Sequence, residues 1–155
     1  FGFLTQTKWP NDLLVRGRKI GGILSEQSDV QYNDGNTIVV GVGINVNMQD
    51  MEPITLIKTA TSIRIETGRK YAIKDVLNTI LEMLPPWIDR WEEGGFPAIR
   101  EDWTARCVSM GESVTVGEGT ERQSGILAGF GDKGQLLLRV NEGVLREIWS
   151  GDVEL

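Results

Sequence analysis

The chain has 155 residues, no histidine, a single cysteine and a formal net charge of −6. Without histidine it cannot carry His-based acid–base chemistry or His-ligated metals, and Cys107 alone can form neither an internal disulfide nor a multi-cysteine zinc site. The negative charge argues against nucleic acid as the main partner, and no apolar run is long enough to cross a membrane. The composition therefore predicts a folded cytoplasmic protein with no membrane part, no His-ligated metal site and no multi-cysteine zinc site.

The first predicted elements are strands. Residues 13–15 (LLV) and 19–26 (KIGGILSE) have the composition of strands, and Gly17 between them supplies a tight turn. Residues 33–36 (NDGN) give a second turn signal, and residues 37–47 (TIVVGVGINVN) carry apolar side chains on both faces. The last pattern is typical of a central strand covered on both sides, so the region predicts a β-meander.

Helices are predicted next. Apolar residues recur at three- and four-residue steps over residues 73–91, which form one face of a helix, and the proline pair at 85–86 should break that helix. A shorter helix should cover residues 97–103. Residues 54–66 are ambiguous, and a short helix is the favoured interpretation.

The pattern changes again near Cys107–Gly111. Short strand-like segments then alternate with the glycine-containing turns GEGT, GDKG and NEG, which is typical of a small barrel of SH3-like size. The sequence therefore predicts an α+β fold, in which a mixed sheet with helices over residues 1–107 is followed by a small β-barrel over residues 108–155.

Basic residues concentrate around the first predicted hairpin. Lys8, Arg16, Arg18 and Lys19 lie close together in the sequence, with one acid, Asp12, among them. A local cationic site in an acidic chain fits a bound phosphate or carboxylate, although a solvated hairpin tip has the same composition. We assign Arg16 and Arg18 to that tip, and Lys8 and Lys19 to a site.

Paired glycines interrupt both predicted strands. Gly21 and Gly22 lie in one strand, and Gly41 and Gly43 lie in the other. Glycine inside a strand indicates either the close approach of a ligand or bulge geometry, and we favour a flat ligand against the sheet. The segment GVGINV is not a dinucleotide fingerprint, because Val46 replaces the third glycine and no helical pattern follows.

Two asparagines accompany these features. A primary amide has one donor group and one acceptor group, which match the N6 and N7 edge of adenine. Asn11 and Asn45 are each also compatible with ordinary turn formation. Combined with lysines that could bind phosphate, they favour an adenylate site.

The motif KWPND, the lysine seven residues after its aspartate in RKIGGIL, and GVGIN together resemble the catalytic domain of biotin protein ligases, which is a class II synthetase-like domain. The C-terminal segment is similar to the SH3-like domain of the same family. The resemblance therefore extends over essentially the whole chain.

The resemblance implies a two-step reaction. Biotin and ATP, with Mg²⁺, form biotinyl-5′-adenylate and pyrophosphate, and the biotinyl group then passes to a lysine of the biotin carboxyl carrier domain of acetyl-CoA carboxylase. By resemblance, Lys19 faces the biotin carboxylate and the α-phosphate, and Asp12 assists the acceptor lysine. The cofactor-binding positions implied in the same way are Lys8, Asn11, Gly21, Gly22, Gly43 and Asn45.

The chain also departs from the family pattern. The family's GRGRxG loop lies before KWPND, whereas RGRK here follows the motif. We therefore expect the C-terminal half of a ligase, inactive by itself, from a parent that would bind nucleic acid only through an N-terminal winged helix. We also expect a homodimer formed through the sheet. The alternatives are a lipoate-type ligase of related fold and a binding module without catalysis.

Overall fold

A computed structural model describes residues 1–32, 35–49, 59–117 and 122–154 of the chain. The chain divides into two compact units. The first comprises Phe1–Leu4 and Asn11–Tyr71, and the second comprises Thr5–Pro10 and Ala72–Leu155. The short strand β1 (Gln6–Lys8) therefore falls in the second unit.

The first unit contains three antiparallel strands, β2 (Asp12–Val15), β3 (Arg18–Tyr32) and β4 (Gly35–Ile44). Arg16 and Gly17 form the two-residue turn between β2 and β3, with φ angles of 51° and 76°. Positive φ at both positions is what a type I′ hairpin turn requires, and the twist of that turn matches the twist of the strands. The predicted hairpin is confirmed.

The β2–β3 ladder contains a bulge at Ile20. Leu14 pairs with Lys19 and Leu13 pairs with Gly21, so Ile20 is the extra residue between these two pairs. Ile20 is buried, with 3% of its surface exposed. The extra residue changes which side chains of β3 share a face, and this places Lys19 and Gly22 on the same face of the sheet.

The prediction of a covered central strand over residues 37–47 is wrong. β4 stands at the end of the strand order of its sheet, next to β3. Four of its apolar residues are more than half exposed, with values of 65% for Ile38, 55% for Val39, 57% for Val40 and 52% for Val42. The apolar pattern predicted a strand correctly, but burial needs covering elements that the described residues do not supply here. The predicted turn at 33–36 falls partly on residues 33–34, which lie outside the described residues.

Helix α1 (Ile63–Thr67) follows in the first unit. The Ser62 hydroxyl accepts a hydrogen bond from the Ile65 N–H at 3.1 Å and so caps the N-terminus. Gly68, with φ of 71°, ends the helix in the left-handed conformation. The short helix favoured for residues 54–66 is thus found in its last part, and residues 50–58 lie outside the described residues.

The second unit contains the long predicted helix as two segments, α2 (Ile73–Met83) and α3 (Pro85–Gly94). The proline pair occupies the start of α3, where the missing N–H groups are tolerated, and interrupts the hydrogen bonds that would continue α2. The predicted break is confirmed. The two helices and the residue between them expose apolar side chains, namely Ile73, Leu77, Leu81, Leu84, Ile88 and Trp91. A 3-10 turn (Phe96–Ala98) and α4 (Arg100–Arg106) then cover the shorter predicted helix.

The C-terminal part is a five-stranded antiparallel sheet in the order β8-β7-β6-β5-β9. Its strands are β5 (Ser113–Val116), β6 (Gln123–Phe130), β7 (Leu136–Arg139), β8 (Leu145–Ile148) and β9 (Val153–Glu154). The sheet surrounds a core in which Leu127, Leu136, Leu138 and Val153 have no exposed surface. The predicted α+β class is confirmed. Within the described strands the barrel is open, because β8 and β9 end the strand order.

No helix among the described residues is long and apolar enough to cross a membrane. The domain division at 1–107 and 108–155 stays a prediction.

Candidate active site

The β2–β3 hairpin brings three of the predicted site residues together. Asp12 pairs with Gly22 and Leu14 pairs with Lys19. Asp12 and Leu14 lie on the same face of β2, because side chains alternate along a strand. Their cross-strand partners, Gly22 and Lys19, lie on that face too, because the bulge adds one residue between them. The sequence predicted the hairpin and these three residues. The bulge explains why Lys19, which follows Asp12 by seven residues in the chain, lies beside it in the structure.

Lys19 and Asp12 form an ion pair on this face. Lys19 Nζ lies 2.5 Å from Asp12 Oδ1, and the two side chains are 50% and 21% exposed. Ion pairs with this much solvent access contribute about 0–1 kcal/mol to stability, so the fold depends little on this one. An accessible ammonium beside a carboxylate can, however, stabilise developing negative charge and assist a proton transfer.

Backbone hydrogen bonds hold the bulge in place. The Thr61 N–H donates to the Lys19 carbonyl oxygen, and the Asn45 N–H donates to that of Ile20, both at 2.8 Å. The Ile23 N–H donates to the carbonyl oxygen of Asn11 at 2.9 Å. The lysine and the residues that follow it are therefore tied to neighbouring segments of the first unit.

The three glycines predicted to bind the cofactor differ in the space that is available for a side chain. A Cβ atom at Gly21 would lie 2.5 Å from the carbonyl oxygen of Gly43, so the close approach of the two strands excludes a side chain there. A Cβ atom at Gly22 would lie 3.4 Å from both Asp12 Oδ1 and Lys19 Cε, so this glycine leaves room for the ion pair. At Gly43 the nearest atom would be 3.9 Å away, which is ordinary contact. Their contacts to a ligand remain predictions.

The Asn45 side chain has a structural partner. Its Nδ2 donates to the carbonyl oxygen of Thr61 at 3.0 Å and, more weakly, to that of Lys19 at 3.5 Å. In this arrangement the donor half of the amide holds the backbone, and reading both N6 and N7 of adenine would require those bonds to be exchanged. The adenine contacts of Asn45 and Asn11 stay predictions.

The assignment of Arg18 to a solvated hairpin tip is wrong. Its guanidinium donates to Glu66 Oε1 at 2.7 Å, and the Glu66 side chain is only 1% exposed. Arg16, with 77% of its side chain exposed and a distance of 3.6 Å to Glu66 Oε2, fits the tip assignment. Sequence reasoning missed Glu66 because the arginine and the glutamate are 48 positions apart and neither belongs to a recognisable motif.

The KWPND motif is divided between the two units. Lys8 and Trp9 belong to the second unit, and Asn11 and Asp12 belong to the first. Trp9 is 5% exposed, and its indole N–H donates to the carbonyl oxygen of Gly134 at 3.1 Å, so the tryptophan serves the core of the second unit. The role of Lys8 beside a phosphate stays a prediction.

Residues 2–45 match the model of the Biotin/lipoate A/B protein ligase family. The matched segment contains KWPND, Lys19 and GVGIN, so the residues that build the candidate site lie inside it. Over this segment the chain is therefore similar to the class of biotin- and lipoate-type protein ligases.

Whole-chain similarities narrow this class. The bifunctional ligase/repressor BirA of Bacillus subtilis is 33% identical over 99% of this chain and 47% of its own length. A biotin–[acetyl-CoA-carboxylase] ligase of Paracoccus denitrificans is 32% identical over 85% of this chain and 55% of its own. The structure of the biotin protein ligase from Aquifex aeolicus in complex with biotin and ATP has a TM-score of 0.78 and 30% identity, and covers 97% of this chain and 61% of the other.

The chain is thus similar to biotin protein ligases, and the resemblance seen in its motifs is confirmed. The chain spans about half the length of the curated relatives it matches.

Proposed function

We propose that this chain forms part of a biotin protein ligase, which makes biotinyl-5′-adenylate from biotin and ATP and transfers biotin to a lysine of a carrier domain. The observation that carries the proposal is the Lys19–Asp12 ion pair beside Gly22. The pair lies in the segment that matches the ligase family, in a chain similar throughout to such enzymes.

Lys19 acts in the first step. An oxygen of the biotin carboxylate attacks the α-phosphorus of ATP and pyrophosphate leaves, so negative charge concentrates on the oxygens around the reacting phosphorus. An ammonium held at this junction stabilises the transition state more than the bound substrates. The half-exposed side chain is accessible to substrate, and its fixed backbone limits where the ammonium can lie.

Asp12 acts in the second step. The amine of the carrier lysine attacks the carbonyl carbon of the adenylate, AMP leaves, and the amine must lose a proton. A carboxylate close to the reacting carbonyl can accept that proton or orient the amine. Its ion pair with Lys19 holds Asp12 beside the group that serves the first step.

Biotin and ATP are part of this proposal because both are bound in the Aquifex aeolicus ligase. Mg²⁺ would accompany the phosphates of ATP. The ranges that the structure describes contain no cluster of three or more metal-ligating side chains, so we derive no step through the ion. Lys8, Asn11, Gly43 and Asn45 are the proposed contacts on the nucleotide side.

The proposed partner is the biotin carboxyl carrier domain of acetyl-CoA carboxylase, by analogy with the name of the Paracoccus relative. The proposal also includes a cytoplasmic location and self-association through the exposed face of β4. Nucleic-acid binding is left out, because it would depend on a winged helix.

The test is a chimera in which this chain follows the N-terminal half of the Bacillus subtilis relative. We expect biotin-dependent release of pyrophosphate from ATP and incorporation of labelled biotin into a purified carrier domain. The isolated chain is measured in parallel, and lipoate replaces biotin in a second series. A folded chimera without biotin-dependent turnover would contradict the proposal, and turnover with lipoate alone would favour the lipoate-type reaction.

Lys19→Ala in the chimera should slow adenylate formation by roughly 10²- to 10³-fold, which is about 2–4 kcal/mol of transition-state stabilisation. Arg16→Ala is the matched control, because it removes one exposed cation from the same hairpin. Equal rate losses in the two variants would indicate diffuse electrostatics and would exclude Lys19 from the reacting centre.

A further inference from the structure

The orientation of Lys19 depends on its backbone. Half of its side chain is exposed, and its ion-pair partner within the described residues is Asp12. A lysine side chain is flexible and has considerable rotamer entropy. The backbone places the Cβ atom of residue 19 and so limits the region that the ammonium can reach.

A buried carboxylate outside the candidate site binds two residues that adjoin that backbone. Glu66, on α1, has a side chain that is 1% exposed. Its Oε1 atom accepts hydrogen bonds from the guanidinium of Arg18 at 2.7 Å and from the hydroxyl of Thr61 at 2.5 Å. Thr61 has no exposed surface. We refer to Glu66, Arg18 and Thr61 as the Glu66 clamp.

The two partners of Glu66 lie on either side of Lys19. Arg18 immediately precedes the lysine in the chain, and the Thr61 N–H donates to the Lys19 carbonyl oxygen at 2.8 Å. One carboxylate oxygen thus binds the side chains of both the residue before the lysine and the residue whose N–H donates to the lysine's carbonyl oxygen. Glu66 is therefore linked to the backbone of Lys19 through two residues.

We propose that Glu66 is a positioning residue that sets the place of the Lys19 ammonium; the catalytic consequence rests on the proposed function. The alternative is a buried ion pair that only fastens α1 to the hairpin. Glu66 Oε2 is buried and has no hydrogen-bond partner among the described residues, although the guanidinium of Arg16 lies 3.6 Å from it. A buried charge with an unsatisfied oxygen carries a desolvation cost, and apolar replacements of such groups are often neutral or stabilising.

The first test needs no enzymatic activity. The chain is labelled with ¹³C at the ε-carbon of lysine, and the Lys19 signal is assigned by its loss in Lys19→Arg. Glu66→Gln should shift or broaden the Lys19 signal while the signals of Lys74 and Lys133 stay in place. An unchanged Lys19 signal in a folded Glu66→Gln variant would overturn the proposal.

Thr61→Val is a second variant that tests the same proposal if Glu66→Gln fails to fold. The change preserves shape but removes the hydroxyl that Glu66 holds. Thr67→Val is its matched control, because the Thr67 hydroxyl donates to the Ile63 carbonyl oxygen at 2.7 Å, within the same helix. Thr61→Val should disturb the Lys19 signal and Thr67→Val should leave it unchanged. Equal effects of the two substitutions would show that the clamp is only structural.

The second test uses the chimera. Displacing a reacting group by a fraction of an ångström to 1 Å can cost up to about 10²-fold in rate, so Thr61→Val should lower kcat for adenylate formation by roughly 10- to 100-fold. The KM for ATP should change by less than about threefold, because binding is not the lost contribution. A kcat equal to that of Thr67→Val would contradict the proposal. The unsubstituted chimera could be inactive while Thr61→Val still disturbs the Lys19 signal. That result would support the Glu66 clamp and contradict the proposed function.

Discussion

The two units of the chain use similar apolar strands in different ways. In the second unit, β7 contributes Leu136 and Leu138 to a core with no exposed surface. In the first unit, β4 carries Val40 and Val42 with more than half of each side chain exposed. The comparison shows that an apolar strand pattern determines pairing, whereas burial depends on what other elements cover the strand. Both units bury apolar residues; in the first unit these are Leu14, Val15, Ile20 and Ile63, none of which lies on β4.

The largest effect should come from the core of the second unit. Leu138→Ala removes a fully buried side chain and leaves a cavity, so we expect a loss of about 3–5 kcal/mol in the free energy of unfolding. Leu24→Ala, at a position of β3 that is 57% exposed, should change it by less than about 0.5 kcal/mol. Urea unfolding followed by fluorescence measures both. Similar losses would mean that Leu24 is covered in solution and that the two units are built alike.

The next effect tests the ionic contact of the first unit. Arg18→Met removes the cation that faces a buried carboxylate, which should lower stability by about 3 kcal/mol. Arg16→Met removes an equally charged side chain that is 77% exposed, and should change stability by less than about 0.5 kcal/mol. Thermal and urea unfolding are compared for the pair. A negligible effect of Arg18→Met would show that Glu66 is not held by Arg18 in solution.

The structural features that depend on residues close together in the chain could be predicted from the sequence. The turn at Gly17, the helix break before Pro85 and the C-terminal strands follow from local conformational preferences. The lysine and aspartate of the candidate site were found through a motif. The bulge at Ile20, the exposure of β4 and the partner of Arg18 were not predicted, because each depends on contacts between segments that are distant in sequence.

A smaller effect should come from the glycines of the first unit. Gly21→Ala would place a Cβ atom 2.5 Å from the Gly43 carbonyl oxygen and 2.8 Å from Ile44 Cδ1, and should cost about 2 kcal/mol through strand displacement. Gly43→Ala meets its nearest atom at 3.9 Å and serves as the control. The two variants are compared by urea unfolding. If Gly43→Ala is the more damaging change, the strand approach at Gly21 is not what requires glycine.

The smallest effect on stability should come from the exposed face of β4. Val40→Lys replaces a side chain that is 57% exposed, so the free energy of unfolding should change by less than about 0.5 kcal/mol. If the unit self-associates through this face, the same substitution should lower the average mass measured by light scattering at high concentration, because a lysine on an edge strand opposes strand pairing. Leu145→Lys is the matched control, since Leu145 is 55% exposed on β8, which ends the strand order of the other sheet. A monomeric mass for the unsubstituted chain, or an equal loss of mass in both variants, would contradict association through β4. A loss confined to Val40→Lys would show that the apolar side chains left exposed on β4 have a partner in a second copy.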